Sequence, residues 1–209
     1  MQEGAAALDV PLSPQQLGRL LCYLAELQKW MRRINLVARD TSTAQLVELH
    51  FLDSLSMAPM LAGHPAPHLL DIGSGAGFPG LVLASIFPDS SFTLLEPRQK
   101  RAAFLRHVVR LLELPQVEVV EKRLEEFDAT DKQYSHITGR AVAEPAAFLP
   151  MVAPFARTGA EVVLFLARGE SLANLPENLQ AVWQIHASRT LMLPFSRAPR
   201  FLASMRRVG

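Results

Sequence analysis

Residues 69–80, LLDIGSGAGFPG, constrain this chain more than any other stretch. An apolar run ends in an acid, Asp71, and glycines then fall at Gly73, Gly75, Gly77 and Gly80 around a tight turn. Pro79 opens an apolar helical pattern over 81–87, and proline suits a first helical position because its missing N–H is not needed there. Strand, glycine turn and helix in that order let α/β proteins bring a small ligand to the main chain at the carboxyl end of the first strand. A Cβ would oppose the turn's positive φ angles or stand where the ligand enters. The unit implies a nucleoside-containing cofactor.

Two cofactor classes compete for the loop. Gly75-Ala76-Gly77-Phe78-Pro79-Gly80 satisfies the dinucleotide spacing G-x-G-x-x-G, but in a poor register. That fingerprint starts directly after the strand and leaves a helix N-terminus open for pyrophosphate. Here Asp71 would set a carboxylate near the phosphates. S-Adenosylmethionine carries no phosphate, and its sulfonium, ammonium and ribose diol all suit carboxylates. A second acid agrees: Phe92–Glu96 reads as a strand ending in Glu96, one strand–helix–strand repeat beyond Asp71, and placed to accept from ribose hydroxyls. A glycine loop that only packs a helix on a sheet is the plainer alternative.

The rest of the chain reads as a helical preface and a doubly covered sheet. Ser13-Pro14 is a cap and first-turn pair, and Leu17, Leu20, Leu21, Leu24, Leu27 and Met31 recur at helical spacing to about Arg33. Cys22, the only cysteine, falls on that apolar face and reads as a small core residue. A second helix is expected over 43–60, then a linker at 64–67. Strands are expected over 68–72, 91–96, 117–121, 136–139 and 161–166, and a closing antiparallel pair over 181–192 and 201–206. Strands separated by helices imply a mostly parallel sheet with helices on both faces. The expectation is one compact α/β unit, with residues 1–63 as a helical extension on a Rossmann-like core of residues 64–209. No apolar run reaches the length that spans a bilayer, and residues 1–10 lack a leader pattern, so a cytoplasmic chain is expected. A single cysteine excludes internal disulfides and cysteine-based metal sites, and no metal is expected.

The motifs together resemble those of the bacterial 16S rRNA (guanine(527)-N7)-methyltransferases, the glucose-inhibited division protein B family. The likeness rests on residues 73–80, on Asn35-Leu36, and on His50-Phe51-Leu52-Asp53-Ser54-Leu55. It continues through Thr93–Glu96 with Lys100-Arg101, Arg123–Phe127 and Gly139-Arg140-Ala141, in order along nearly the whole chain. Two positions depart from it: Gly139 stands where the family usually has serine, and Arg168 where it has lysine. The resemblance implies a Rossmann-like S-adenosylmethionine-dependent methyltransferase fold. It implies transfer of a methyl group to guanine N7 in 16S ribosomal RNA or the small ribosomal subunit, by a monomer.

Candidate site residues follow. Asp71, Gly73, Gly75 and Glu96 are expected around the cofactor. Leu124 and Glu125 follow the third strand; spacing alone equally permits a surface helix start, and the resemblance favours the adenine rim, with Leu124 or Phe78 packed on the ring. Arg140 follows the fourth strand and is expected to enter the cleft between cofactor and target base as the catalytic residue. His50 and Asp53 share a helix face; a core hydrogen bond is the reading for Asp53, and His50 stays open. The net charge is only +1, but cations cluster at 98–110, at Arg32, Arg33 and Arg39, and in the tail at Arg197, Arg200, Arg206 and Arg207. Arg98, Arg106 and Arg168 are the expected RNA contacts. There is no Asn/Asp-Pro-Pro-aromatic run for an amino group and no Pro-Cys nucleophile for a pyrimidine carbon. Guanine N7 offers an unshared pair and needs no deprotonation, so alignment alone could serve. Two rival readings stand beside this one: a nicotinamide-dependent oxidoreductase using the GAGFPG loop, and a non-catalytic ribosome-assembly module.

Overall fold

Successive residues of a strand face opposite sides of a sheet, so a strand covered on both sides needs an unbroken apolar run. Such runs form the centre of the molecule in the computed structural model, which describes residues 1–128 and 132–208. Strands β1 (His68–Ile72), β2 (Ser91–Leu95), β3 (Val117–Val120), β4 (His136–Thr138) and β5 (Glu161–Leu166) are mutually parallel. β6 (Trp183–Met192) and β7 (Pro199–Arg207) form an antiparallel hairpin, and β7 pairs antiparallel with β5. The strand order is β3-β2-β1-β4-β5-β7-β6. The order reverses between β1 and β4, so a crevice opens at their carboxyl ends.

Ten helices flank this sheet among the described residues. The first five precede it: α1 (Gln2–Ala6), α2 (Pro14–Trp30), α3 (Thr43–Leu46), α4 (Asp53–Leu55) and α5 (Ala58–Ala62). The others are α6 (Gly80–Ala84), α7 (Gln99–Leu111), α8 (Pro145–Val152), α9 (Glu170–Ala173) and α10 (Glu177–Gln180). Leu69 and Leu94 join a core cluster with Leu20, Tyr23, Leu27 and Phe51 of the preface. Their neighbours Leu70 and Leu95 face the other side, against Phe148, Leu149 and Val152 of α8. Residues 1–63 therefore share one apolar core with the sheet.

Local chemistry sets the helix ends. Ser13 Oγ accepts from Gln16 N while Gln16 Oε1 accepts from Ser13 N, and Ser42 with Gln45 repeats the same box at α3. Such caps are worth about 1 kcal/mol each. Several expectations are corrected. α2 stops at Trp30, and its buried face is Leu20, Tyr23, Leu24 and Leu27, which turns Leu21 and Cys22 outward. The helix expected over 43–60 is interrupted: α3 widens into π-helical turns over Val47–Leu52 before α4, and α5 follows separately. Pro79 lies at the N-cap of α6, one position before the first helical residue, after a cis Phe78–Pro79 bond.

Candidate active site

The glycine loop is built to hold carboxylates. Gly73, Gly75 and Gly77 all have positive φ, at +66°, +60° and +96°. Gly73 N and Ser74 N both donate to Leu95 O, which ties the loop to the end of β2. Glu96, 2% exposed, accepts from Gly75 N through Oε2 at 2.9 Å and from Arg98 N through Oε1 at 2.8 Å. Asp71 is wholly buried and accepts from Gly80 N at 3.1 Å through Oδ2, while its Oδ1 has no hydrogen-bond partner among the described residues. Burial raises the Asp71 carboxyl to about 7, against the Gly80 hydrogen bond and the more distant Arg140 charge. A Cβ at Gly75 would meet nothing closer than Gly73 O at 3.7 Å and Arg101 Nη1 at 4.0 Å, so this face of the loop is open. At Gly139 a Cβ would lie 2.7 Å from Phe148 and 3.0 Å from Ile72 O, so a side chain there would need Phe148 to shift.

Phe78 packs against the helical preface. It is 5% exposed and stacks on His50 at 5.0 Å and on Tyr23 at 5.7 Å between ring centroids. Its ring packs the loop against the preface. Tyr23, buried on α2, donates its hydroxyl to Ala76 O and thereby pins the loop from the helical side. The only signal for this in the sequence is one phenol on an apolar helix face. Leu124 remains half-buried and Glu125 exposed on the 3₁₀ turn Leu124–Glu126 after β3.

Arg140, just past β4, is held by the helical preface. Nη1 donates to Leu49 O and to Asp53 Oδ2, both at 3.0 Å, and Nη2 donates to His50 Nδ1 at 2.8 Å. The guanidinium carbon lies 5.2 Å above the Phe78 ring. Since arginine only donates, His50 must present an unprotonated Nδ1. Burial and the Arg140 charge agree, lowering His50 to about 4. Asp53, 4% exposed, accepts from Arg200 Nε at 2.6 Å through its other oxygen. One buried carboxylate thus joins the end of β4, the start of β7 and the π-helical turn. Arg140, Arg200 and Asp53 form an arrangement that spacing along the sequence does not announce.

The expected RNA contacts part company. Arg98, exposed at the N-cap of α7, lines a cleft with Arg33 and Arg39. Arg106 pairs with Glu121 at 2.8 Å and lines neither that cleft nor the one beside it. Arg168 is exposed just past the carboxyl end of β5, on the crevice side of the sheet. No group of three or more His, Cys, Asp or Glu among the described residues could hold a metal ion, and no helix there is long and apolar enough to cross a membrane.

Comparison with known proteins agrees with this geometry. The family model for rRNA small subunit methyltransferase G (GidB) matches residues 16–203. The ribosomal RNA small subunit methyltransferase G of Desulfotalea psychrophila is 38% identical over 213 residues, 99% of this chain and 96% of that protein. The corresponding protein of Halorhodospira halophila is 42% identical over 185 residues, 86% and 84% of the two chains. Among solved structures, a precorrin-6y C5,15-methyltransferase from Geobacter metallireducens aligns with TM-score 0.56 at 15% identity, covering 82% of this chain and 93% of that one. P. horikoshii TYW2, in complex with MeSAdo, aligns with TM-score 0.58 at 14% identity, covering 76% and 62%. At such identities the likeness shows a shared Rossmann-like methyltransferase fold. With the family model spanning most of its length and relatives matched nearly end to end, the chain belongs to the rRNA small subunit methyltransferase G family.

Proposed function

We propose that this chain transfers a methyl group from S-adenosylmethionine to a base of small-subunit ribosomal RNA, guanine N7 being the acceptor that the family resemblance implies. The observation that carries the cofactor choice is the capping of the loop by its own acids. Gly75 N donates to Glu96 and Gly80 N donates to Asp71. A dinucleotide's pyrophosphate would need such N–H groups and would meet two carboxylates instead. A cationic ligand with a ribose diol fits the same surroundings. Glu96 keeps lone pairs for hydroxyl donors, and the unpartnered Asp71 Oδ1 is a buried acceptor waiting for a donor or a cation. When bound, S-adenosylmethionine supplies an electrophilic methyl group.

The chain's own part is positional. Glu96 would orient the ribose, Gly73 and Gly75 would let the ligand approach the backbone, and Leu124 with Glu125 would border adenine. Arg140 would act through the segment 49–53 that it fixes. Guanine N7 needs no base, so holding it in line with the methyl group is sufficient chemistry. The reading extends to a cytoplasmic enzyme that works as a monomer, with residues 1–63 as an extension beside the substrate.

The test is transfer of labelled methyl groups from S-adenosylmethionine to 16S rRNA and small subunits taken from cells lacking this gene. Label recovered as 7-methylguanosine is the expected result. Cofactor binding without any transfer would leave the non-catalytic module, and binding of a nicotinamide dinucleotide instead would overturn the cofactor choice. Gly75→Val is expected to abolish cofactor binding in calorimetry, because its side chain would fill the open face of the loop.

A further inference from the structure

Two clusters of cations, distant in sequence, meet in the fold. One comes from residues 32–39 of the helical preface, the other from the first turn of α7. Arg33 and Arg39 face Arg98, Lys100 and Arg101 across a cleft of about 370 Å³. Arg39 also lines a second cleft of about 480 Å³ together with Arg32, so the two depressions adjoin. Among the described residues no carboxylate lines either one. Arg32, Arg33, Arg39, Arg98 and Lys100 are exposed, and no side-chain hydrogen bond or ion pair holds any of them among the described residues. The whole chain carries 21 Lys and Arg against 20 Asp and Glu. With six of the 21 gathered in this groove, the remainder is acidic by five. A field of one sign held open at such a local excess attracts a polyanion.

The groove also ends at the cofactor loop. Arg101 donates through Nε and Nη2 to Asn35 O, at 3.1 and 3.0 Å, which fastens the preface loop to α7. Its Nη1 lies 4.0 Å from where a Gly75 Cβ would be. Arg98 N, one position before α7, donates to the same Glu96 that holds Gly75. Cations strung along two adjoining depressions suit successive phosphates of a chain better than one small anion, which would call for donors converging at a point.

Resting on the methyltransferase reading above, we infer that this groove seats the phosphate backbone of the RNA strand that delivers the target base. Arg33 and Arg39 are the contacts that the preface supplies, and Arg101 is the joint between the two sites. The helical preface is therefore one wall of the substrate site as well as a cover for the sheet.

The test compares the full-length protein with Arg33→Ala/Arg39→Ala and with Arg33→Lys/Arg39→Lys. Both positions are exposed and unpaired, so thermal melting should match the parent. Calorimetry reads S-adenosylmethionine affinity, filter binding of transcribed 16S rRNA over a salt series reads phosphate contacts, and methyl transfer to small subunits reads KM and kcat. The alanine pair is expected to leave cofactor affinity unchanged and to raise KM for RNA about ten- to a hundredfold. Loss of two contacts to single-stranded RNA should flatten the slope of log K on log salt by about 1.4. The lysine pair should keep the parent slope. Unchanged slope and KM in a variant that still transfers methyl groups would overturn the groove alone, and weakened cofactor binding would reassign it to the cofactor. A parent protein that binds cofactor and methylates no ribosomal RNA would overturn the functional reading itself.

Discussion

Arg140 and Arg200 converge on Asp53, a carboxylate 4% exposed, and each makes further bonds to backbone or to His50. In the groove between the preface and α7, six cations lie near one another with no acid among them. The two regions use the same side chain for opposite purposes. A buried cation must be paired, because unpaired charge in a low-dielectric interior is far more costly than the pair. Its position is then dictated by the protein's own interior. An exposed cation without a partner is held apart from its like-charged neighbours by solvent, and its charge stays available to a ligand. What separates structural from binding arginine in this chain is therefore the partner, and the partner lies far away in sequence.

The largest expected effect breaks the interior arrangement. Asp53→Ala strands two arginines against a neutral site and is expected to cost about 3–5 kcal/mol of stability, read by urea denaturation. Arg140→Ala should cost less, since Asp53 keeps Arg200. Replacing groove arginines should move stability by no more than about 0.5 kcal/mol. If Asp53→Ala unfolds no more easily than the groove variants, the contrast between the two regions fails.

Smaller, and dependent on pH, is the effect of the buried acid beneath the glycine loop. Asp71 sits at about 7 in the folded chain, well above its ordinary value of 3.8. A group whose folded pKa is raised contributes stability that is fully present below the unfolded pKa and lost as pH rises through the folded one. Asp71 therefore burdens the fold most above pH 7. Asp71→Asn keeps an acceptor for Gly80 N and removes the charge, so melting at pH 8 should show a gain on the order of 2–4 kcal/mol that disappears near pH 4. Cofactor affinity should fall in the same variant. A gain that is equal at both pH values would show that the carboxyl is not held near neutral, and unchanged affinity would remove Asp71 from the cofactor site.

The sheet and the loop were legible because they are written locally. β1 and β5 occupy the residues read for them, and the others differ by one or two positions at their ends. Apolar runs, the glycine spacing and the two strand-end acids lie within 25 residues of one another. What the sequence does not announce is long-range. Arg140 reaches Asp53 across 87 residues of chain, and Arg200 reaches it across 147. Glu48, buried in the π-helical turn, accepts from Phe195 N and Ser196 N, and nothing near Glu48 in sequence announces that bond. The ring partners of Phe78, Tyr23 and His50, come from the preface and are likewise distant in sequence. The groove was half legible. Both basic clusters were visible, but only the packing of residues 32–39 against α7 makes them one surface.

The smallest expected effect sharpens the groove's boundary. Arg98 and Arg106 both sit in the basic stretch around α7, and sequence gives no reason to separate them. Arg106 is paired with Glu121, both side chains are substantially exposed, and neither lines the groove. Exposed pairs of this kind are worth about 0.2–1 kcal/mol, so Arg106→Ala should barely move stability. It should also leave the salt dependence of RNA binding unchanged, because its charge is already answered by an acid. Arg98 is exposed, unpaired and inside the groove, so Arg98→Ala should reduce the slope of log K on log salt by about 0.7. Two arginines eight positions apart would then differ in their RNA contribution for one physical reason, the presence of Glu121 beside only one of them. Equal slopes for the two variants would mean that charge density around α7, rather than the groove, governs the attraction for RNA.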